Sequence, residues 1–304
     1  MTWLSVVIPT HNGEAYLGAA LRSIVDQGRT DDIEVVLVDD ASTDATVDVA
    51  ASFDASLPLR VVRKPTCTGW PHTTNIGARE ARGRSLSVLH QDDLWLPGRL
   101  AWLRTQLGPE GVHDVAISPA EFVDHEGRTI GRWPLPGVRD SGARSIRRLL
   151  AGLTVQNNVC VAAPAIPRAR YLELGGIDED LWYTGDWKLW LQAFTDAAIT
   201  VAPGPTVAFR LHADAQTTSR TSDTAEVLEQ YERLFARVPA IVRERSRVTV
   251  AVNLLLLALY HRRTPPVRAL ASAFLRGGAI GWVHWARYSG TFPRALARVR
   301  CRWR

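Results

Sequence analysis

The first ninety residues alternate short apolar runs with amphipathic segments, and this alternation limits the folds that the chain can adopt. Continuous runs of valine, isoleucine and leucine are typical of parallel strands that are covered on both faces. The predicted strands are 4–9, 33–38, 59–62 and 85–90, and the predicted helices are 14–27, 45–53 and 73–82. We therefore expect an α/β fold with a mostly parallel sheet flanked by helices.

Polar and acidic residues follow three of these predicted strands, at 9–12, 39–44 and 90–93. In parallel α/β sheets, ligands bind beyond the carboxyl ends of the strands. The three turns should therefore line one crevice.

The second half of the chain has a less regular pattern. Its predicted strands are 112–118, 121–132, 159–163 and 207–211, and its predicted helices are 143–150, 164–174 and 187–194. From about residue 224 onward the chain is predicted to be helical, with breaks at the pair Pro265 and Pro266 and at the pair Gly277 and Gly278. We expect a domain at 1–220, with a nucleotide half at about 1–110 and an acceptor half at about 111–220, followed by a helical extension at 221–304.

The charge is distributed unevenly along the chain. Residues 243–304 contain thirteen arginines and one acid, about +12, so the remainder carries about −7 of the net charge of +5. Such a basic segment favours contact with an anionic membrane surface, where Trp282, Trp285 and Tyr288 could lie at the interface. The alternative is a solvated helical face that closes the core or pairs two subunits in a homodimer.

Targeting and redox signals are weak. The three cysteines, Cys67, Cys160 and Cys301, have no paired spacing, so neither a zinc site nor a disulfide framework is indicated. The amino terminus lacks a signal-peptide pattern, and the apolar run at 248–260 falls short of the roughly 20 residues that span a bilayer. We expect a cytoplasmic protein, peripheral at the inner face of the plasma membrane if the basic segment binds lipid.

Two acidic turns could carry chemistry. A carboxylate of the pair Asp39 and Asp40 could accept the imide N–H of a uracil or thymine ring, and Asp92 with Asp93 could hold Mg²⁺ or Mn²⁺ against a diphosphate. In each turn the alternative is an acid that caps the next helix.

Two further segments complete the set. Asp186 opens a helix among aromatic residues, where desolvation would raise its pKa towards the range of a general base. A helix cap is again the alternative, and the tryptophans nearby could be core packing. Arg210 and His212 lie on one side of a strand end, where a cation and an imidazole would assist the departure of a diphosphate.

Together and in this order, the motifs resemble the family 2 inverting glycosyltransferases of the GT-A fold, over roughly residues 3–215. The matching motifs are SVVIPTHN at 5–12, VLVDDASTD at 36–44, NIGAREARG at 75–83, QDDLWLP at 91–97, GDWKLW at 185–190 and RLH at 210–212. A Rossmann dehydrogenase would carry a glycine fingerprint after the first strand, and this chain does not.

The resemblance implies a role for each matched position. Asp186 falls on the catalytic base, and Asp92, Asp93 and His212 fall on the site of a Mn²⁺ or Mg²⁺ ion. The residues expected to bind the nucleotide sugar are Pro9, Thr10, His11, Asn12, Asp40, Asn75, Gln91, Asp92 and Arg210. The chain departs from the family pattern at His90, which replaces the first acid of the metal motif, and at Gly185, which replaces the acid before the base.

The resemblance also implies an activity. We expect an inverting glycosyltransferase that moves a sugar from a nucleoside-diphosphate donor, with UDP- or dTDP-sugars favoured, to a hydroxyl of a glycan, lipid-linked or cell-envelope acceptor. A catalytically silent nucleotide-sugar binding module is the alternative. Nucleic acid is not expected as a partner, because the basic residues of 243–304 should lie outside the crevice and no nucleic-acid motif is present.

Overall fold

The computed structural model describes residues 2–265 and 267–302. Its strands are β1 Leu4–Thr10, β2 Ile33–Asp39, β3 Leu59–Arg63, β4 Ser85–Val88, β5 Leu94–Trp95, β6 Val115–Ile117, β7 Ala120–Val123, β8 Thr129–Trp133, β9 Ala165–Pro167, β10 Ile199–Val201 and β11 Val207–Arg210. Its helices are α1 Leu17–Val25, α2 Thr46–Ala51, α3 Trp70–Glu80, α4 Arg99–Leu107, α5 Ala143–Leu153, α6 Arg168–Glu173, α7 Gly185–Ala193, α8 Gln216–Ser219, α9 Thr224–Phe235, α10 Ala240–Tyr260, α11 Val267–Tyr288 and α12 Thr291–Arg302.

Seven strands form the central sheet in the order β10-β6-β9-β4-β1-β2-β3. β1 pairs in parallel with β2 and with β4, and β2 pairs in parallel with β3. Every residue of β1 is buried, as expected for a strand covered on both faces. The short strand β9 is antiparallel to β4 and β6, so the sheet is mixed, and the predicted α/β architecture is confirmed.

A smaller sheet brings distant segments to the edge of the central sheet. Its strand order is β5-β11-β7-β8, and β11 pairs with β5 in antiparallel orientation. β5 begins directly after Asp93, and β11 ends at Arg210. The pairing therefore brings the turn at 90–93 close to the end of β11.

One glycine fixes how closely α3 packs on the central sheet. A Cβ atom at Gly77 would lie 2.4 Å from Cγ1 of Val7 and 3.1 Å from Cγ2 of Val38. Any side chain at this position would push α3 away from β1 and β2, so the close approach requires glycine.

The prediction of a strand at 159–163 is wrong. These residues form a buried turn, and the carbonyl oxygens of Ala162 and Ala163 accept hydrogen bonds from the Arg99 guanidinium, at 2.9 and 3.2 Å, instead of joining a ladder. The strand lies further on, at β9, and the helix predicted at 164–174 therefore begins at Arg168. Helix α4 and strand β10 were not anticipated from the sequence.

The carboxy-terminal helices extend the core. Val227 and Tyr231 of α9 and Leu254 of α10 belong to the same buried cluster as Trp187 and Trp190 of α7. Gly278 has a φ of 54° and interrupts α11, which confirms the predicted break there. The break predicted at Pro265 and Pro266 falls partly outside the described residues, because Pro266 is not among them.

The exposed apolar side chains are concentrated at this end of the molecule. Among the described residues, ten of the eleven exposed large hydrophobic side chains lie between 241 and 299: Ile241, Leu259, Val267, Leu275, Ile280, Trp282, Val283, Phe292, Leu296 and Val299. No helix of the described chain combines the length and apolar content needed to cross a bilayer.

Candidate active site

The carboxyl ends of β1, β2 and β4 open into a cleft of about 530 Å³. The turns that follow all three strands line it, so the prediction that they share one crevice is confirmed. The sequence-predicted residues that line the cleft are Pro9, Thr10, His11, Asn12, Asp40, Gln91, Asp92, Asp186 and His212. Asn75, Asp93 and Arg210 do not line it.

The turn after β1 is bonded to the turn after β2. The Asn12 backbone N–H donates to Ser42 Oγ at 2.9 Å, and Asn12 Oδ1 accepts the Thr43 N–H at 2.9 Å. Asn12 has a φ of 47°, a left-handed conformation that asparagine tolerates better than most residues. His11 Nδ1 lies 2.7 Å from the backbone oxygen of Asp40. These bonds fix the two turns relative to each other.

Gln91 joins the turn after β4 to the end of β1. Its Oε1 accepts hydrogen bonds from Thr10 Oγ1 at 2.5 Å and from the His11 N–H at 2.8 Å, and its Nε2 donates to the His11 oxygen at 3.1 Å. Because both its amide oxygen and its amide nitrogen are hydrogen-bonded, Gln91 fixes the turn after β4 against the end of β1.

Asp40 is buried and organises the loop that follows β3. Its Oδ1 accepts from Lys64 Nζ and, at 2.9 Å, from the Thr68 N–H. Its Oδ2 accepts from the Gly69 N–H at 2.8 Å and lies 3.5 Å from the Cys67 thiol. Burial alone would raise the pKa of Asp40, but these hydrogen bonds outweigh it and lower the pKa, so the carboxylate is ionised.

His90, Asp92 and Asp93 form a cluster at the end of β4. Each offers one ligand atom, and the three atoms lie within 4.8 Å of one another. Burial and the neighbouring Asp92 charge raise the pKa of Asp93 well above its usual value. Burial opposes ionisation of Asp92 as well, but the hydrogen bond with His212, whose Nε2 lies 3.0 Å from Asp92 Oδ2, outweighs it and lowers the Asp92 pKa.

The chemistry of this cluster fits a divalent cation. His90 Nε2 and Asp93 Oδ2 are buried and have no hydrogen-bond partner among the described residues. Burial lowers the pKa of His90, which keeps the imidazole neutral, as a metal ligand must be. Two unpaired buried ligand atoms beside the Asp92 carboxylate are the arrangement that a metal ion would satisfy.

Arg210 supports this cluster from behind instead of facing the cleft. It is buried, its Nε donates to the Asp92 backbone oxygen at 2.8 Å, and its own N–H donates to Asp93 Oδ1 at 3.0 Å. Its guanidinium also bonds the oxygens of Asp124 and His125, both at 3.0 Å. The expectation that it lies beside a bound diphosphate therefore finds no support in the geometry.

Asn75 likewise lies away from the cleft. Its Nδ2 donates to the Ile177 oxygen at 2.8 Å, and its Oδ1 accepts from Tyr171 Oη at 2.6 Å and from the Ile177 N–H at 2.9 Å. With its amide buried and bonded on both sides, Asn75 anchors the loop between α6 and α7.

Asp186 lies in the first turn of α7, far along the chain from the turns after β1, β2 and β4, and it lines the same cleft. Its Oδ2 accepts a hydrogen bond from Asn157 Nδ2 at 2.7 Å, and its Oδ1 accepts the N–H of Trp187 at 2.8 Å. Burial raises the pKa of Asp186 to about 6, although both hydrogen bonds and the nearby Arg294 act in the opposite direction. A carboxylate with this pKa is suited to accept a proton near neutral pH.

Two residues of this site were missed by the sequence analysis. Asn157 belongs to a run of three amide side chains at 156–158, shortly after the amphipathic helix α5, and this run is the sequence signal that could have identified it. Arg294 comes from α12, stacks over the Trp133 ring at 4.1 Å and donates to the Asn157 oxygen. Arg294 and Arg298 both line the cleft, so the expectation that the basic residues of 243–304 lie outside it is wrong. Nothing in an arginine-rich segment distinguishes these two from the rest.

The aromatic residues near Asp186 divide into two groups. Trp182 and Tyr183 line the cleft and are partly exposed. Trp187 and Trp190 are buried in the core, although Trp187 also lines the cleft, and the Trp187 indole N–H donates to the Leu153 oxygen at 2.7 Å. The core-packing alternative therefore holds for Trp187 and Trp190.

The sequence of this chain is similar to those of known glycosyltransferases. Residues 5–153 match the family described as Glycosyl transferase family 2. An uncharacterized glycosyltransferase of Rickettsia prowazekii (strain Madrid E) is 26% identical over 240 residues, covering 77% of this chain and 70% of the relative. The poly(ribitol-phosphate) β-N-acetylglucosaminyltransferase TarS of Staphylococcus aureus is 34% identical over 95 residues, which cover 31% of this chain and 17% of TarS.

Solved structures share the fold over nearly the whole chain. Residues 1–349 of S. aureus TarS in complex with UDP-GlcNAc superpose with a TM-score of 0.65 at 17% identity, covering 99% of this chain and 90% of that structure. The mannosyltransferase PcManGT from Pyrobaculum calidifontis, in complex with GDP-Man and Mn²⁺, superposes with a TM-score of 0.59 at 17% identity and covers 99% and 87% of the two chains. At 17% sequence identity, these superpositions show that the chains share a fold and nothing further.

Proposed function

Because this chain is a family 2 glycosyltransferase with the GT-A fold, we propose that it transfers a sugar, with inversion, from a nucleoside-diphosphate donor to an acceptor hydroxyl. The observation that carries the proposal is one cleft lined by Asp40, Asp92 and Asp186, in which burial raises the Asp186 pKa to about 6. The structures of TarS with UDP-GlcNAc and of PcManGT with GDP-Man support a nucleotide-sugar donor.

The nucleoside would bind at the ends of β1 and β2. Pro9, Thr10 and His11 line this part of the cleft. Among the described residues, Asp40 Oδ2 accepts one strong hydrogen bond, from the Gly69 N–H, and one weak contact from the Cys67 thiol, so it retains an acceptor position. An imide N–H of uracil or thymine could fill that position, which is why we favour UDP- or dTDP-sugars.

The diphosphate would lie against the cluster at the end of β4. His90, Asp92 and Asp93 would hold a divalent cation, Mn²⁺ or Mg²⁺, with His212 hydrogen-bonded to Asp92 beside it. When bound, such a cation neutralises the charge that develops on the leaving diphosphate. Arg210 keeps this cluster in shape through its bonds to Asp92 and Asp93.

The transfer itself is a single displacement with Asp186 as the base. The acceptor oxygen forms a bond to the anomeric carbon while its proton passes to the Asp186 carboxylate. The bond between that carbon and the diphosphate oxygen breaks, and its electron pair leaves with the nucleoside diphosphate. Because one attack occurs from the face opposite the leaving group, the anomeric configuration is inverted.

The acidic position before Asp186 is Gly185, and the packing explains the replacement. A Cβ atom at Gly185 would lie 2.7 Å from Cγ2 of Ile177 and 3.3 Å from the Asp178 oxygen. A carboxylate therefore does not fit there, and the catalytic role falls on Asp186 with Asn157 as its hydrogen-bond donor.

The test is the substitution Asp186→Asn. A thermal-shift screen of nucleoside-diphosphate sugars with Mn²⁺ and Mg²⁺ would first identify a donor that binds. We expect Asp186→Asn to lower donor turnover at least about 1,000-fold while leaving donor affinity within about threefold of wild type, because only the proton acceptor is lost. Asp196→Asn is the matched control, since Asp196 is exposed and its positive φ of 58° suits asparagine equally well.

Wild-type turnover in Asp186→Asn would overturn this assignment of the base. A donor that binds to wild type with Mn²⁺ but is neither transferred nor hydrolysed would instead favour the silent binding module.

We also propose that the carboxy-terminal helices contact an anionic membrane. The exposed apolar side chains concentrate between 241 and 299, and exposed arginines such as Arg263, Arg287 and Arg300 lie among them. This combination of cationic and apolar surface matches the interface of an anionic bilayer. The acceptor would then be a glycan carried by a lipid or by the cell envelope.

A further inference from the structure

A second cavity of about 530 Å³ lies next to the catalytic cleft, between α10 and α12. Four residues line both spaces: Tyr183, Asn253, Arg294 and Arg298. The residues that line the nucleotide end of the cleft, such as Pro9, Asp40 and Asp92, do not line this cavity. It therefore adjoins the cleft on the side of Arg294 and lies apart from the nucleotide end.

The charged residues that line this cavity are cationic. Arg262, Arg294 and Arg298 line it, and no carboxylate of the described residues does. The guanidinium groups of Arg298 and Arg262 make no hydrogen bond or ion pair within the described part of the chain. Burial, together with the nearby Arg298, lowers the pKa of Arg294 to about 10, and Arg294 Nε is buried without a partner among the described residues.

Two neighbouring guanidinium groups in a partly desolvated site repel each other and oppose folding unless an anion joins them. Arginine is also the residue best suited to bind phosphate, through paired N–H donors. The cavity is therefore built for an anion of the phosphate type, next to the carboxylate of Asp186.

Part of the lining is apolar and comes from α10 and α12. Leu256 and Leu257 of α10 face Ala295 and Val299 of α12 across the cavity. Leu259 and Val299 are about half exposed, 59% and 49%, so the apolar wall continues onto the exposed apolar surface at 241–299. A free phosphate would leave this wall in water, whereas an apolar chain attached to the phosphate would cover it.

We propose that this cavity binds the acceptor as a lipid phosphate, with Arg294 and Arg298 on the phosphate and the leucines of α10 along the apolar chain. This inference rests on the proposed glycosyl transfer and adds the class of its acceptor. The phosphate would anchor the acceptor beside Asp186, so that a hydroxyl on the attached sugar reaches the base. α12, which supplies Arg294 and Arg298, lies outside the residues 5–153 that match the family.

The test is the binding of farnesyl phosphate to the full chain, below its micelle-forming concentration, by titration calorimetry. Farnesol, which has the apolar chain alone, and inorganic phosphate, which has the phosphate group alone, are the comparison ligands. We expect farnesyl phosphate to bind at least about tenfold more tightly than either one, and Arg298→Gln to weaken it at least about tenfold. Arg300→Gln is the matched control, because Arg300 is exposed on the same helix and does not line the cavity.

A second variant examines the apolar wall. Leu256 is only partly buried, so Leu256→Trp should fold, which its melting temperature would verify, and should fill the space that the chain needs. We expect it to weaken farnesyl phosphate without changing the binding of inorganic phosphate. Equal affinity for inorganic phosphate and farnesyl phosphate, or equal binding by Arg298→Gln and Arg300→Gln, would overturn the proposal.

Donor binding separates this inference from the proposed function. UDP with Mn²⁺ should shift the melting temperature of Arg298→Gln and of wild type equally, because the residues proposed to bind UDP and the cation, such as Asp40 and Asp92, do not line the cavity that Arg298 lines. Donor hydrolysis that does not depend on Asp186 would contradict the catalytic proposal and leave farnesyl phosphate binding intact. Loss of lipid phosphate binding alone would contradict the acceptor site and leave the donor chemistry intact.

Discussion

Asn157 Nδ2 donates a hydrogen bond of 2.7 Å to Asp186 Oδ2, and this contact joins the loop after α5 to the first turn of α7. The bond fixes the direction of the carboxylate and favours its ionised form. Asn157 is in turn held by Arg294 of α12, whose guanidinium donates to its backbone oxygen. The proposed base is therefore positioned by residues from two other regions of the chain, the loop after α5 and α12.

The pH dependence of turnover should report the ionisation of Asp186. Because burial raises its pKa to about 6, the carboxylate is protonated and inactive as a base below that pH. We expect kcat/KM to fall about tenfold per pH unit below pH 6 and to be flat from about pH 7 to 8. The measurement is donor turnover between pH 5 and 8. A kcat/KM that does not fall below about pH 6 would contradict the role of Asp186 as the base.

Removing the Asn157 amide should move the acidic decrease of kcat/KM to a higher pH. In Asn157→Leu the carboxylate loses a hydrogen bond that stabilises its charge, so the Asp186 pKa should rise by about one unit. Turnover at pH 6 should then decrease several-fold more than turnover at pH 8. An equal loss at both pH values would mean that Asn157 acts on geometry and not on the pKa.

The cluster at the end of β4 should bind Mn²⁺ through its carboxylates. In the presence of UDP, we expect Asp92→Asn to weaken Mn²⁺ binding at least about tenfold, measured by the signal of free Mn²⁺ in electron paramagnetic resonance. Asp54→Asn, an exposed carboxylate in the loop after α2, is the control and should bind Mn²⁺ as wild type does. Equal binding by both variants would exclude Asp92 as a ligand.

Arg99 should be among the residues on which folding depends most. Its side chain is fully buried, and it donates hydrogen bonds to Thr206, Ser87, Ala162 and Ala163, which lie on different elements. We expect Arg99→Met to lower the free energy of unfolding by at least about 2 kcal/mol, because buried acceptors lose their donor. Chemical denaturation is the measurement, and the exposed Arg147→Met should change stability by less than about 0.5 kcal/mol.

Membrane contact should depend on the exposed apolar residues of α11. The triple variant Leu275→Gln, Ile280→Gln and Val283→Gln changes only exposed positions. We expect it to sediment with phosphatidylglycerol vesicles at least about fivefold less than wild type, because the buried apolar area at the interface is reduced. Val112→Gln, exposed far from this helix in the sequence, is the control.

Equal sedimentation of the triple variant and wild type would contradict membrane contact through this surface. A wild-type chain that is dimeric by light scattering, with the triple variant monomeric, would favour the pairing of two subunits instead.

The amino-terminal half of the fold is strongly determined by the sequence. The runs that form β1 and β2 are apolar without interruption, and the polar residues at their ends follow in the same short segments. Because parallel strands place their carboxyl ends at one edge, local pattern alone predicts that Thr10 and Asp40 approach each other. The same reasoning predicts the turn at 90–93.

Prediction from the local sequence pattern is wrong where a side chain distant in the sequence determines the backbone conformation. The run at 159–163 is apolar enough for a strand, but its carbonyl oxygens face the buried guanidinium of Arg99, which satisfies two of them. Asn75 and Arg210 lie in family motifs, yet both are bonded to neighbouring loops and do not face the cleft. The spacing of residues within a motif does not indicate a hydrogen-bond partner that lies about a hundred residues away in the chain.

Apolar periodicity and short motifs are enough to predict the α/β sheet, the three turns of the crevice and the acidic Asp186 at the start of α7. The side chains that surround Asp186 become evident only when the helices are packed in three dimensions. Asn157 and Arg294 reach it from 29 and 108 positions away in the chain. Long-range contacts of this kind form when helices pack, and packing depends on the shape of the whole core, which no single segment encodes.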